Sequence, residues 1–569
     1  MKEYLVPRGT LTYADTLEAI GLASLLKELT VAEVRLRHTN EGYLVTGEDL
    51  PETHLWPPIE PGYPFIYEPI DGQVPPGWVV DYAQERAKDQ RLREFRRATG
   101  KKREQMLQAL REKGLEELPS PVPEYKIALF LASMRMGWKS DKQLYRWLQQ
   151  DKHRAAAWVA GNMLATGEQV KDAPKVTNSQ VFNPISGKGV HRPKPDSTFP
   201  QSISGELINP FREWLKFRGA YRAMLSYRVD DDFKVFVIEP ADISLGGLTE
   251  VYNDLLGLSL WGRIYLDIET TLRLVELLIH RSDVMGNKIL LAGRRPRDVI
   301  RGLHQAFFKS MGNAAALMNY SFTELPSWFS IDSREDANSY LALIHSFVGR
   351  KQRDGVVGSL LSLDENRSSD IPALLQFRKW LMTGALKDFL EFSCLFALHV
   401  MEKRGANEWV REMSTVNLNT LMIRGYGMQD IIESKGFQSL ARAIRNATIY
   451  ALADQKQGKR SREVHYGLAQ KWKQKIKGGE GEFIAALSEF VQQYNWESEK
   501  FDAEREKGTE KWKYHKVNAA DLDEVIGLVQ AKGAELVGML LLAYGYSRMP
   551  KAGQSDSEPE PATSMEEVQ

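Results

Sequence analysis

The hydrophobic periodicity of this chain changes part-way along, and that change limits what it can fold into. From about 372 to 550 nearly every segment sets apolar residues at helical spacing, as in "ALLQFRKWLMTGALKDFLEFSCLFALHVMEK" and "FQSLARAIRNATIYALAD". Successive stripes without intervening strands specify helices that bury their faces on one another. Before that point helical and strand-like stretches alternate. Residues 14–28 have helical spacing, and "AEVRLRHTNEGYLVTG" (32–47) alternates about "TNEG" as a β-hairpin would. "DFKVFVIEP" (232–240) is the strongest strand, ended by Pro240. The expected fold is α+β: a mixed α/β half over 1–355, a helical-bundle domain over 356–550, and a disordered acidic tail over 551–569. The polar, Gly- and Ser-rich stretch 349–372 marks the boundary. Residues 81–117 read as a long charged helix broken near Gly100, and 245–345 as helices mixed with short strands.

A single cysteine, Cys394, lies in the apolar run "FSCLFALHV". It excludes an internal disulfide and a thiolate zinc cluster, reads as core packing, and suits a reducing cytoplasm. "MKEYLVPRGT" has no apolar run behind its charge and reads as carrying no secretory leader. "ELVGMLLLAYGY" is too short to span a bilayer, so no membrane is expected.

Net charge is zero, with 75 basic and 75 acidic residues, which by itself argues against a nucleic-acid binder. The distribution argues the other way. Arg86 to Lys113 holds 11 Lys/Arg against 4 Asp/Glu, Lys456 to Lys477 holds 8 against 1, and Arg294 to Lys309 holds 5 against 1. Blocks of this kind suit contact with a phosphate backbone. The candidates are Arg96, Arg97, Lys101, Lys102, Arg294 and Arg295, then Lys471, Lys473 and Lys475 around Trp472. In "SLARAIRNATIY", Leu440, Ala443, Ile444 and Ala447 form an apolar stripe with Arg442 and Arg445 beside it, which suits a packed helix whose arginines meet phosphate.

The loop "NSQVFNPISGKGVHRPKPDS" (178–197) is rich in donors and has no acid before Asp196. Asn178, Gln180 and Asn183 have the paired donor and acceptor groups that read adenine, and Lys188, Arg192 and Lys194 add charge. A flexible connector explains the same composition.

Enzyme signatures are sparse. There is no P-loop, nucleophile elbow or His-Glu-x-x-His. The ten histidines are scattered, which gives metal binding little support, and "RVDDDF" (228–233) reads as a solvated turn. "IYLDIETT" (264–271), taken as a strand, would set Asp267 and Glu269 as in the first metal-binding motif of DnaQ-type exonucleases. No convincing second motif follows, and Asp267 or Thr270 would equally cap the helix "TLRLVELLIH".

With its mixed N-terminal half, helical C-terminal half and "FQSLARAIR" (Phe437 to Arg445), the chain resembles the large subunits of type I CRISPR surveillance complexes (Cascade), closest to the I-B-like or MYXAN-type branch. Some relatives carry a zinc-binding cysteine cluster, which this chain lacks. The resemblance implies a non-catalytic subunit that needs no cofactor. Its N-terminal half would contact the 5′ end of the crRNA and read a protospacer-adjacent motif (PAM) in target double-stranded DNA. Its helical domain would line the strands of the R-loop. The implied partners are the backbone and 5′-handle-binding subunits, the small subunits and a recruited helicase-nuclease. A metal-dependent nuclease using Asp267 and Glu269, or a helical scaffold without nucleic acid, are the alternatives.

Overall fold

In the computed structural model, residues 1–51, 82–98, 100–112, 118–122, 125–133, 181–184, 210–258, 260–311, 315–458, 462–505 and 514–549 are described. The fold is α+β. The chain divides into two compact units. Unit 1 comprises Met1–Trp261, His280–Leu291 and Pro296–Leu325, and unit 2 comprises Gly262–Ile279, Ala292–Arg295 and Pro326–Gln569. The boundary expected near 355 lies inside unit 2, which also takes in Gly262–Ile279 and the stretch from Pro326 onward.

Unit 1 holds two antiparallel sheets. The first is ordered β1 (Lys2–Pro7), β3 (Gly42–Gly47), β2 (Arg35–His38), β6 (Asp242–Ser244). The second is ordered β4 (Met224–Val229), β5 (Asp232–Pro240), β7 (Ile300–Ser310), β8 (Ala315–Glu324). The expected hairpin at 32–47 is β2–β3, and the expected strand at 232–240 is β5. β7 and β8 are longer than the short strands expected there. "RVDDDF" is the β4–β5 turn: Val229 pairs with Asp232, and Asp230 takes φ +56°, as two-residue hairpin turns require. Asp231 pairs with Arg228 at 2.8 Å, and Asp232 accepts from Ser310 N at 2.8 Å.

Helix α1 (Tyr13–Thr30) is buried on almost every side. Further along unit 1 come α2 (Tyr82–Arg97), α3 (Gly100–Glu112), α4 (Tyr125–Ser133), α5 (Pro210–Ala223) and α6 (Leu245–Gly257). Gly100, at φ +53°, breaks the charged helix where the sequence indicated. α1 and α5 meet at two glycines. A Cβ on Gly21 would stand 1.9 Å from Leu215 O, and one on Gly219 would stand 2.0 Å from Leu17 O. Only glycine permits backbones this close.

Unit 2 begins with α7 (Ile264–His280), followed by α8 (Arg334–Val348), α9 (Ile371–Thr383) and α10 (Leu386–Gly405). Gly384, at φ +64°, separates α9 from α10. Then come α11 (Lys435–Arg445), α12 (Leu468–Lys477), α13 (Glu480–Arg505), α14 (Ala519–Lys532) and α15 (Ala534–Gly545). The core centres on aromatic rings. Trp328 and Trp380 stack with centroids 5.3 Å apart, and Phe347, Phe377 and Phe389 close round Trp380. Cys394 is buried 3.2 Å from Met539 Sδ, and burial pushes its thiol up to about 12. It is core packing. Among the described residues no helix is long and apolar enough to cross a membrane.

Candidate nucleic-acid interface

The structure separates the candidate contacts by whether their charge is already used. α2 and α3 carry five exposed cations, Arg86, Arg91, Lys101, Lys102 and Arg111, none with a carboxylate partner among the described residues. Other cations on these helices are paired: Lys88 with Glu85 at 2.7 Å, and Arg93 with Asp89. Arg96 and Arg97 close α2. Arg294 is half-buried and Arg295 exposed, in a short stretch whose backbone bonds to Ile331 at 2.9 Å and 3.0 Å.

The lysines of α12 behave differently. Lys471 pairs with Glu489 at 3.3 Å and Lys475 with Glu482 at 3.1 Å, while Lys473 is half-buried without an ion pair among the described residues. Trp472 packs between Phe483 and Phe490. Two of the three candidate lysines are thus matched by acids on α13, although exposed pairs of this kind hold each other weakly.

On α11 the two arginines part company. Lys435, Gln438 and Arg442 fall on one exposed face at i, i+3, i+7, and Arg442 has no acidic partner among the described residues. Arg445 is 3% exposed. It donates to Tyr544 O and to Ser547 O (2.5 and 2.7 Å), closing the end of α15. The expectation that Arg445 meets phosphate is corrected. Orphan carbonyls at a buried helix end need a donor, and Arg445 supplies it.

Within the loop at 178–197, only Val181 to Pro184 are described, and Asn178, Gln180, Lys188, Arg192 and Lys194 lie outside the described residues. Asn183 is not a base-reading group. It is fully buried, donates to both carboxylate oxygens of Glu213 at 3.2 Å and accepts from Lys216 Nζ at 2.8 Å. Tyr13 donates to Val181 O at 2.5 Å, and Phe182 packs edge-on against Phe217. These interactions anchor the start of the loop on α1 and α5.

Asp267 and Glu269 lie in the first two turns of α7, not on a strand. Asp267 is 2% exposed and accepts from Arg378 at 2.9 Å, while Glu269 is fully buried and takes Arg350 in a fork at 3.0 and 3.1 Å. Nor does Asp267 or Thr270 cap the helix. Glu365 does so, accepting from the amides of Arg263, Ile264 and Tyr265 at 2.8–3.2 Å. Two turns on from Glu269, Glu276 meets His345 and Asp354, with ligand atoms within 4.8 Å of one another. The Arg273 guanidinium already sits there, 2.6 Å from each carboxylate. Burial alone would raise Glu276 and Asp354, but hydrogen bonds from His345 and Arg273 outweigh it and leave both lowered. These carboxylates are balanced inside a charge lattice and present no open face to a metal.

Sequence reasoning missed a polar cluster in unit 1. His38 from β2 and His304 from β7 both meet Glu239 from β5, at 3.4 and 2.7 Å, and Arg301 Nη1 reaches the same carboxylate at 2.6 Å. Tyr320 OH bonds His304 Nδ1 at 2.7 Å and accepts from Tyr13 N at 2.9 Å. Burial, then the charge of Arg301, pushes His38 down to about 4. Burial would raise Glu239, but His304 and Arg301 reverse this and hold it low. Strand alternation, which puts His38 and Glu239 at strand ends, is the one sequence signal that points toward it. Pairing across sheets is invisible in one sequence. No family model matches the chain, and no curated protein matches it.

Proposed function

We propose that this protein is a non-catalytic nucleic-acid-binding subunit, the large subunit of a type I CRISPR surveillance complex, acting in the cytoplasm. One observation carries the reading. Exposed cations without acidic partners among the described residues gather on α2 and α3 and recur on α11 at Arg442, while the buried carboxylates that a nuclease would need, Asp267 and Glu269, are held in ion pairs by Arg378 and Arg350. A guide supplies sequence by base pairing, so such a subunit needs backbone grip and a few base contacts, not a reaction centre. In this reading Asn178, Gln180, Lys188, Arg192 and Lys194 meet the protospacer-adjacent motif, and Asn183 holds the loop's base in place. The partners are crRNA, target duplex, the other Cascade subunits and a recruited helicase-nuclease.

The test is to recover the tagged full chain from cells that carry a repeat array and to sequence the RNA that accompanies it. The reading expects short RNAs sharing one repeat-derived 5′ end. Recovery of no RNA, or of RNA without a common end, contradicts it.

A further inference from the structure

We propose that Arg8, His38 and Arg301 form a binding site for a phosphoryl oxyanion on unit 1. Arg8 follows β1, with its amide donating to Glu41 O at 3.0 Å. The loop after it is tied down by Asp15, which accepts from Thr10 N and Leu11 N at 3.1 and 2.9 Å. Arg301 stands at the start of β7 over the Phe322 ring, 5.4 Å from its centroid. Its Nη1 lies 3.0 Å from His38 Nε2, and Arg8 Nη2 meets that same nitrogen.

Two guanidinium groups therefore converge on one imidazole nitrogen. A neutral ring offers a single lone pair there, too little for both donors. The groups facing His38 are Arg8 from the loop after β1, Tyr43 from β3, Glu239 from β5, and Arg301 and His304 from β7. Glu239 is the only acid in this set, and it already takes Arg301 and His304. Arg8 has no carboxylate partner among the described residues. The cluster is left with an uncompensated positive charge and two forks open to water: Arg8 is exposed, and the Arg301 side chain is 34% exposed. A tetrahedral oxyanion has enough acceptor sites for both guanidinium groups at once, and paired N–H donors match its geometry.

A free phosphate and a phosphodiester offer the same oxygens, so the test has two arms. Inorganic phosphate is titrated into the full chain by calorimetry at neutral pH, and a short RNA without terminal phosphates is then added as competitor. Phosphate binding should saturate and should weaken about tenfold or more in Arg8→Gln and in Arg301→Lys. It should be unchanged in Arg37→Gln, which alters an exposed cation of β2 held 3.9 Å from Glu3. Competition by the RNA assigns the site to a nucleic-acid backbone, and its absence assigns it to a free or terminal phosphate. Equal affinity in wild type and Arg8→Gln, with matching melting curves, overturns the proposal. So does the lack of saturable binding of either probe.

Discussion

Arg442 and Arg445 stand three residues apart on α11 and do opposite work. The first faces solvent without an acidic partner among the described residues, and the second is buried, with its guanidinium spent on the carbonyls of Tyr544 and Ser547. Arg445→Ala should cost about 1–3 kcal/mol for each carbonyl orphaned. Arg442→Ala should leave stability within about 0.5 kcal/mol of wild type and weaken nucleic-acid binding. Urea unfolding beside binding anisotropy checks both. Equal stability losses would mean that the two arginines share one structural role.

Arg378 and Asp267 give a second contrast. Removing one partner of a buried pair costs about 3–5 kcal/mol. Arg378 is 37% exposed, so Arg378→Ala should fall at or below the low end. Asp267→Ala should also destabilise. Neither the wild type nor the variant should cut DNA or RNA with Mg²⁺ or Mn²⁺. Cleavage by the wild type that disappears in Asp267→Ala would restore the nuclease alternative.

Much of the fold is legible where a local pattern has one physical reading. β5 alternates and ends at Pro240, and the β2–β3 hairpin turns at "TNEG". Gly100 breaks a helix at positive φ. "IYLDIETT" reads as a strand yet folds as a helix, because a short run rich in β-branched residues does not distinguish the two. What decides it is distant. The partners of Asp267 and Glu269 are 111 and 81 residues away, and the cap, Glu365, about as far. Arg445 misleads for a related reason. The stripe on α11 indicates one buried face, but the helix packs against both α14 and α15, which covers a flank the local pattern leaves open. Asn183 fits a base-reading pattern by composition, and only the fold brings Glu213 and Lys216 to it.

His515 should make unit 2 sensitive to acid. Its ring bonds Tyr494 OH at 3.0 Å and Ser439 Oγ at 3.3 Å. Burial, then the charges of Arg442 and Arg462, lowers it from 6.5 to about 4. Between these values the unfolded chain binds a proton that the folded chain refuses. The stabilisation is complete above about 6.5 and is lost as pH falls toward about 4. His515→Gln should therefore lose less stability than wild type between pH 7 and pH 5, measured by urea unfolding. Equal losses would exclude this group as a source of acid sensitivity.

Gly21→Ala should disturb the crossing of α1 and α5, because the new methyl would meet backbone rather than a side chain able to move. Overpacking of this kind costs about 1–3 kcal/mol or more. A melting temperature equal to wild type would show that the helices can separate without cost.

Whether the exposed cations of α2 and α3 grip a phosphate backbone is decided by the salt dependence of binding. Duplex DNA and single-stranded RNA are titrated with the full chain between about 50 and 200 mM salt. Wild type is compared with a variant in which Arg86, Arg91, Lys101, Lys102 and Arg111 are all changed to Gln, and with one in which Lys471, Lys473 and Lys475 are changed. The first variant should bind every sequence more weakly. Its log–log slope should be flatter by about 0.7–0.9 for each phosphate that the protein no longer neutralises. The second variant should show a smaller change, because two of its lysines already hold Glu489 and Glu482. An unchanged slope in the first variant, or no binding by wild type at the lowest salt, would contradict a nucleic-acid-binding role for these helices.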